Sequence, residues 1–304
     1  MKKIIFAIVL FSALIAPAYA YTDLNFYQRF GEGGYAQTDA SILLGSGAFS
    51  VKPGVKSWKS DTSSGTFTTY ALRLDYAGRV VKAGVEGGLQ PKTDGYDKKY
   101  VGGDISYSFY PSKEGEDSLY LRFDIGVAAM FTFQADEYQL LSGSTGGSGG
   151  GGGGRGPGGG GGGSVVLRTQ PFDLQQRDYT VFAGAGIGIV ELSGDYTKTN
   201  YNQTILPTDR SSRNLSVIGL DHITQGFLDN SWSAKVKLMA GIFRPFVSYT
   251  SIRILDLTDR EQSYGAGLEI KWKMLKVRGS YELYKPGNGA EDGSYYGIGG
   301  TLMF

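Results

Sequence analysis

The feature that most constrains the fold is a long run in which apolar side chains occupy every second position. In the stretch SLYLRFDIGVAAMFTF, residues 118–133, all eight odd-numbered positions are apolar, and mainly polar, charged or small residues lie between them. A period of two is typical of a β-strand whose two faces differ in chemistry. The run exceeds an ordinary strand of about 5 or 6 residues. It is long enough for a tilted strand to cross a bilayer, which takes about 9 to 11 residues.

The same alternation recurs along the chain and predicts an all-β protein. The other patterned segments include 70–76, 81–89, 101–109, 179–189, 232–242, 264–272, 275–283 and 296–304. We count about ten strongly patterned strands, and the parity of the turns requires two more, one within 40–58 and one within 194–205. The sequence therefore predicts a transmembrane antiparallel β-barrel of about 12 strands over residues 40–304, with ten strands as the fallback.

Charged residues occupy the strand face opposite the apolar one. In a barrel that meets lipid on its apolar face, the charged face lines the interior. The pore-lining candidates are Arg73, Lys82, Glu86, Asp104, Arg122, Asp124, Lys235, Lys237, Glu269, Lys271, Arg278 and Glu282. Two interpretations stay open, because charges of mixed sign can either pair and fill a small barrel or line a narrow, weakly ion-selective channel.

The connections between the patterned segments predict an asymmetric barrel. Tight turns are expected at 77–79, 243–245 and 273–275, and longer loops at 90–98, 134–178, 256–261 and 285–293. Short periplasmic turns and long outer loops are typical of transmembrane barrels. Aromatic residues near the strand ends predict girdles at the two membrane interfaces; these are Tyr100, Tyr110, Tyr179, Trp232, Tyr264, Trp272, Tyr284 and Tyr295.

A glycine-rich insertion, 142–164, interrupts one of the long loops. Residues 146–163 include 15 glycines, a composition typical of a flexible linker. The tract either forms a mobile outer loop that gates the pore or displays a hydrated surface, or it is a neutral expansion in a tolerant loop. The adjacent SVVLRTQPFDL, residues 164–174, could fold inward as a constriction, and the sequence leaves this open.

The N-terminus predicts export. Lys2 and Lys3 precede an apolar run over 4–15, and Ala18-Tyr19-Ala20 has the small-residue pattern of a cleavage site, so residues 1–20 are expected to be a signal peptide. Residues 21–39 are an N-terminal segment without assigned structure. The chain contains no cysteine, which excludes disulfides, and its net charge of +1 provides no global field for nucleic acid.

The C-terminal strand SYYGIGGTLMF ends on an aromatic residue, with Tyr296, Ile298, Leu302 and Phe304 on one face. With the signal peptide and the long alternating strands, it resembles the outer-membrane β-barrel proteins of Gram-negative bacteria as a class. The resemblance implies a location in the cell outer membrane and contact with outer-membrane lipids. It also implies that these four residues are the signal read by the barrel assembly machinery, and that the last strand pairs with the first.

Candidate groups for chemistry are few. His222 is the only histidine, and we expect it to be a solvated loop residue without a catalytic role. No spacing of ligands predicts a metal or cofactor site. We expect a monomeric, porin-like, non-enzymatic protein, a narrow passive channel for small hydrophilic solutes. The alternative is a closed barrel with a structural or adhesion-like role through its outer loops. A barrel enzyme comes third and depends on His222.

Overall fold

The computed structural model describes residues 21–110 apart from 62 and 64, residues 121–136 and 172–203, residues 214–255 apart from 218, 219 and 221, and residues 257–304 apart from 288. The expected signal peptide, the glycine-rich insertion and residues 164–171 of the suggested constriction lie outside the described residues.

The described residues form one closed antiparallel barrel and a short separate hairpin. The barrel strands are β1 Tyr21–Gly31, β2 Ala36–Ser46, β3 Phe49–Lys59, β4 Phe67–Ala77, β5 Val81–Thr93, β6 Tyr96–Phe109, β7 Leu121–Asp136, β8 Phe172–Ile187, β9 Val190–Tyr201, β12 Leu228–Leu238, β13 Phe243–Ile254, β14 Glu261–Trp272, β15 Leu275–Lys285 and β16 Gly293–Met303. The hairpin consists of β10 Asn214–Ser216 and β11 Ile223–Gln225. Barrel strands that follow each other in the chain are paired. β9 also pairs with β12, since the β10–β11 hairpin lies outside the barrel sheet, and β1 also pairs with β16, which closes the barrel.

The closed antiparallel barrel is confirmed, but the predicted strand number is wrong, because the barrel has 14 strands rather than about 12. Both additional strands come from the beginning of the chain. The segment 40–58, read as one strand, contains the end of β2 and nearly all of β3, which are joined through Gly47 in a left-handed conformation, φ 59°. β1 lies within 21–39, where Gln28 interrupts the apolar outer positions and Tyr27 takes an inward position, so the alternation is weak.

The barrel has two different rims. The terminal rim, as we name the end that holds Tyr21 and Phe304, has short connections at 47–48, 78–80, 188–189, 239–242 and 273–274, and one longer connection, 110–120. The opposite end, the loop rim, holds the longest connections, including 202–227, and a short one at 32–35. One expected loop is absent: β5 and β6 continue through 90–98 to a two-residue turn at Asp94 and Gly95, both at positive φ. Asp-Gly favours a tight hairpin turn because glycine tolerates that conformation.

The outer face is apolar. Tyr70, Leu72, Leu74 and Tyr76 on β4 are exposed and alternate with half-buried residues, and the same pattern continues on the neighbouring strands. No helix among the described residues is long and apolar enough to cross a membrane.

The aromatic residues near the strand ends divide between the two faces. Tyr179, Trp232, Tyr264 and Trp272 are exposed on the outside, as the girdle interpretation expects. The girdle assignment is wrong for three others, because Tyr100 lines an interior cavity and Tyr284 and Tyr295 pack on His222 inside the barrel. The distance of a residue from the strand end does not indicate which face its side chain is on. The face depends on whether the residue lies an odd or an even number of positions from an inward-facing residue.

Candidate functional site in the barrel lumen

A segment of the loop between β9 and β12 folds into the lumen. We name residues 214–227, which include the β10–β11 hairpin, the luminal segment. Its described side chains contact inward-facing residues of the wall rather than solvent: Val217 packs with Leu228, Ile252 and Ile254 of β12 and β13. At its C-terminal end, Phe227 packs on Leu174 of β8.

His222 anchors the luminal segment to the wall formed by β15 and β16. Its ring stacks on Tyr295, with centroids 4.0 Å apart and planes within 5°, and meets the edge of Tyr284 at 4.4 Å. Its Nδ1 atom lies 3.1 Å from Oε1 of Glu282. The side chain is only 3% exposed, so the expectation of a solvated loop histidine is wrong. The loop turns inward because the Tyr and Glu side chains offer this ring both stacking and a hydrogen bond.

The residues after His222 connect two sides of the barrel. The hydroxyl of Thr224 lies 2.8 Å from the Tyr284 hydroxyl and donates to Oε2 of Glu261 at 3.2 Å. Ile223 packs on an aromatic cluster of Tyr35, Trp58, Phe67 and Tyr96, which comes from the turn before β2 and from β3, β4 and β6. Tyr295 also packs on this cluster, with its ring 5.7 Å from that of Tyr35, so the two contact regions adjoin. Adjacent residues of a strand point to opposite sides. The luminal segment therefore spans the lumen near the loop rim.

The predicted pore-lining residues lie on the inner face, and many of them pair there. Arg73 is the centre of the largest cluster, with Nη2 2.7 Å from Asp104 Oδ1, Nε 2.7 Å from Asp75 Oδ1 and Nη1 3.4 Å from Glu86 Oε2. Two further ion pairs join predicted residues, Arg122 with Asp124 at 2.8 Å and Lys237 with Glu269 at 3.1 Å. Three other predicted residues contact residues outside the predicted set: Lys235 and Arg278 lie over the Phe246 ring at 4.4 Å and 4.7 Å, and Glu282 contacts His222. Lys82 and Lys271 share the inward register of their strands, opposite Ser106 and Lys276.

Beneath the luminal segment lies the upper cavity, of about 500 Å³. Val217 and Ile223 of the luminal segment contribute to its lining. Its wall includes the predicted residues Arg73, Glu86 and Asp104. The wall also includes polar residues that sequence analysis missed: Lys56, Gln90, Lys98, Gln134, Gln176, Asp178 and Ser231.

A second, lower cavity of about 470 Å³ lies along β1–β4 and β14–β16. Its polar lining comprises Asn25, Lys52, Glu269, Lys276, Arg278 and Thr301 among others. The two cavities share Lys56, Thr69 and Tyr100, so they adjoin along the wall. The missed residues were hidden for two reasons. β1 to β3 were incompletely recognised, and the glutamines lie in strand ends that had been read as loops.

His222 is the group on which a catalytic interpretation depends. Glu282 orients the imidazole ring through its contact with Nδ1, as a carboxylate does for many catalytic histidines. The Nε2 atom, however, is buried and makes no hydrogen bond, and His222 lines neither the upper nor the lower cavity. A general base must reach its substrate. Asp221, its sequence neighbour, lies outside the described residues. No cluster of potential metal ligands is present among the described residues.

The geometry defines the class of protein. A closed antiparallel barrel with an apolar outer face and a charged inner face is a transmembrane β-barrel, the class found in the outer membrane of Gram-negative bacteria. The β1–β16 seam agrees with the expected pairing of the last strand with the first.

Comparisons with known proteins give distant structural likenesses. No protein-family model and no curated protein sequence matches the chain. Among solved structures it is similar to CdiB from Acinetobacter baumannii, with 10% identity, 93% of this chain and 60% of that chain covered, and a TM-score of 0.48. It is also similar to the CymD monoaromatic hydrocarbon channel, with 10% identity, coverage of 93% and 88%, and a TM-score of 0.47. It is also similar to the anion-selective porin from Comamonas acidovorans, with 10% identity, 93% of this chain and 98% of that chain covered, and a TM-score of 0.39.

The likeness to these structures is distant. The chain spans 60% of the length of CdiB. The identities are near 10% and the TM-scores are below 0.5.

Proposed function

We propose that this protein is a narrow passive channel for small hydrophilic solutes in the outer membrane. The observation that carries the proposal is the contact between the two interior cavities. The upper cavity begins beneath the luminal segment, and the lower cavity continues from Lys56, Thr69 and Tyr100 toward strand ends at the terminal rim, near Asn25 and Thr301. A polar route through a barrel of this size suits solutes that carry little apolar surface.

The luminal segment sets the width of the channel. It occupies the lumen near the loop rim and is held by His222 and Thr224 on one wall and by Ile223 on the other. The lining of the upper cavity balances its charge, with three basic residues, Lys56, Arg73 and Lys98, and three acidic residues, Glu86, Asp104 and Asp178. A route with balanced charge is weakly ion-selective.

The test is single-channel conductance of the refolded protein in a planar bilayer, with wild type compared with His222→Ala. The substitution removes the stacking on Tyr295 and the hydrogen bond to Glu282, which loosens the luminal segment. We expect steady conductance from wild type. We expect a larger conductance, about twofold or more, from His222→Ala, because the luminal segment that constricts the lumen is no longer held in place.

Thr258→Ala is the matched control, since Thr258 is exposed at the loop rim and its loss should leave conductance unchanged. Folding of each protein is checked by the shift in gel mobility on heating. If folded wild type and His222→Ala both insert and conduct nothing, the channel proposal fails and the closed barrel with a surface role takes its place.

A further inference from the structure

We infer that the upper cavity is a binding site for a neutral, polyhydroxylated solute of the size of a small sugar. The inference rests on the proposed function, because it names the class of solute that the channel would carry. The cavity, of about 500 Å³, lies within the range of ordinary small-molecule sites, about 300–1,000 Å³.

Two buried polar groups of the cavity wall have no protein partner. Gln90 is 2% exposed and its Nε2 makes no hydrogen bond, while its Oε1 accepts from Thr69 Oγ1 at 3.3 Å. Ser231 is 1% exposed and its Oγ also lacks a partner. A buried polar group without a hydrogen bond is costly, so such groups commonly mark a position that a ligand or water completes.

These two groups belong to well-separated parts of the wall. Gln90 lies on β5 and Ser231 on β12, and β6, β7, β8 and β9 stand between these strands in the barrel. A ligand that reaches both must span the cavity. An amide N–H offers a donor and a hydroxyl can donate or accept, and a sugar hydroxyl can pair with either.

Other polar side chains of the cavity wall are held in place by hydrogen bonds to one another. The Tyr96 hydroxyl donates to Gln134 Oε1 at 3.0 Å, Gln134 Nε2 donates to Gln176 Oε1 at 2.9 Å, and Gln176 Nε2 donates to Asp178 Oδ1 at 3.0 Å. Such a chain fixes the orientation of each amide. A wall with fixed donors and acceptors does not have to reorganise on binding, which favours affinity.

The charges of the cavity favour a neutral ligand. Its lining contains three basic residues, Lys56, Arg73 and Lys98, and three acidic residues, Glu86, Asp104 and Asp178. Arg73 is held by Glu86 and Asp104, and Asp178 accepts from Gln176 and from Thr199 at 2.7 Å. The aromatic ring of Tyr100 and the side chain of Met130 supply apolar surface for the C–H groups of a sugar ring.

The test is a fluorescence titration of the refolded full chain in detergent with glucose and maltose. Trp58 lines the cavity, and the other two tryptophans, Trp232 and Trp272, are exposed on the outer face. The Trp232→Phe/Trp272→Phe background therefore reports from the cavity alone. We expect saturable binding that Gln90→Leu and Ser231→Ala each weaken by about 2- to 10-fold, the effect of one hydrogen bond.

Two matched variants serve as controls. Ser248→Ala removes an inward serine of the adjacent strand β13, and Gln203→Leu removes an exposed glutamine at the loop rim; neither residue lines the upper cavity. Both should bind sugar as well as the background protein does. Saturable binding of phosphate or arginine in place of the sugars, or equal affinity in all four variants, would overturn the inference.

Conductance measured on the same preparations separates this inference from the proposed channel. Saturable sugar binding by a protein that conducts nothing would support the site and reject the channel. Steady conductance without saturable binding would reject the site and leave the channel in place.

Discussion

At the residue scale, the inner face repeatedly places an aromatic ring over a glycine directly opposite on the neighbouring strand. The pairs are Tyr21 with Gly45, Tyr27 with Gly299, Tyr100 with Gly88, Phe182 with Gly126, Phe246 with Gly267 and Tyr295 with Gly31. The ring covers a backbone that has no side chain of its own, an arrangement that stabilises sheets.

Gly267→Ala would bring a Cβ within 2.3 Å of Phe246 Cζ and 2.5 Å of the Gly279 carbonyl oxygen. We expect a loss of about 1–3 kcal/mol in the free energy of unfolding, measured by urea titration in vesicles.

Gly279→Ala is the control for this prediction. A Cβ at Gly279 would meet nothing closer than the Gly297 carbonyl oxygen at 4.0 Å, so the stability should change little. Equal losses in the two variants would mean that the cost comes from the strand backbone and not from the covering ring.

At the element scale, the luminal segment is held by His222 on Tyr295 and by Ile223 on an aromatic cluster that Tyr295 also contacts, and the Ile223 contact can be tested by substitution. Ile223 packs on Tyr35, Trp58, Phe67 and Tyr96, where burial raises the pKa of Tyr35 and keeps its hydroxyl protonated as a donor to Gln37. Ile223→Asp would place a carboxylate among these rings, at a cost of several kcal/mol unless the segment withdraws. We expect withdrawal, seen as higher conductance and faster proteolysis between β9 and β12.

Ile223→Val keeps the apolar contact and should behave as wild type in both measurements. If Ile223→Asp left conductance and the pattern of cleavage unchanged, the contact with the aromatic cluster would not be what holds the luminal segment in place.

At the scale of the whole molecule, the barrel is closed by the pairing of β1 with β16. The amide of Phe304 donates to the Thr22 carbonyl at 2.8 Å, and the amide of Thr22 donates to the Phe304 carbonyl at 3.2 Å. The Phe304 ring itself is 60% exposed and contributes little to the seam. We expect Phe304→Ser to lower the amount of folded protein in the outer membrane several-fold in cells. The stability of protein refolded into vesicles should fall by no more than about 1.5–3 kcal/mol, the transfer free energy of one Phe side chain, because the ring meets lipid and not a neighbouring strand.

Gel mobility of unheated membrane fractions, compared with that of the refolded protein, measures the two effects separately. This comparison tests the proposal that Tyr296, Ile298, Leu302 and Phe304 form an assembly signal. If Phe304→Ser lowered the folded fraction by the same factor in cells and in vesicles, Phe304 would have a structural role instead.

Much of the barrel could be predicted because the relevant information is local. The alternation over 118–133 identifies β7 without any knowledge of its partners, and the same holds for β4 and β16. β1 was missed because its alternation is broken: Thr22 and Gln28 interrupt the apolar residues of the outer face, and Tyr21 and Tyr27 occupy inward positions. The turn at Asp94 and Gly95 was misread because the flanking Gln90 and Lys98 look like loop residues but lie on the inner face of long strands.

The site was less predictable because it depends on residues that are distant in sequence. Nothing near His222 in the chain indicates that its ring lies between Tyr284 and Tyr295. Likewise Gln90 and Ser231 have ordinary sequence surroundings, and only the cavity shows that both lack a hydrogen-bond partner.

The sequence by itself determined that this chain forms long two-faced strands, which face is apolar, and therefore that they close into a transmembrane barrel. These properties depend on a period of two that each strand carries alone. Only the tertiary structure decided the number of strands, the inward path of the luminal segment, and the two adjoining cavities. Those features depend on the closure of β1 on β16, which brings Tyr27 and Ser280 together although they are 253 positions apart, and on contacts between the luminal segment and the wall, such as that of His222 with Glu282. Contacts of this kind leave no periodic pattern in a single sequence.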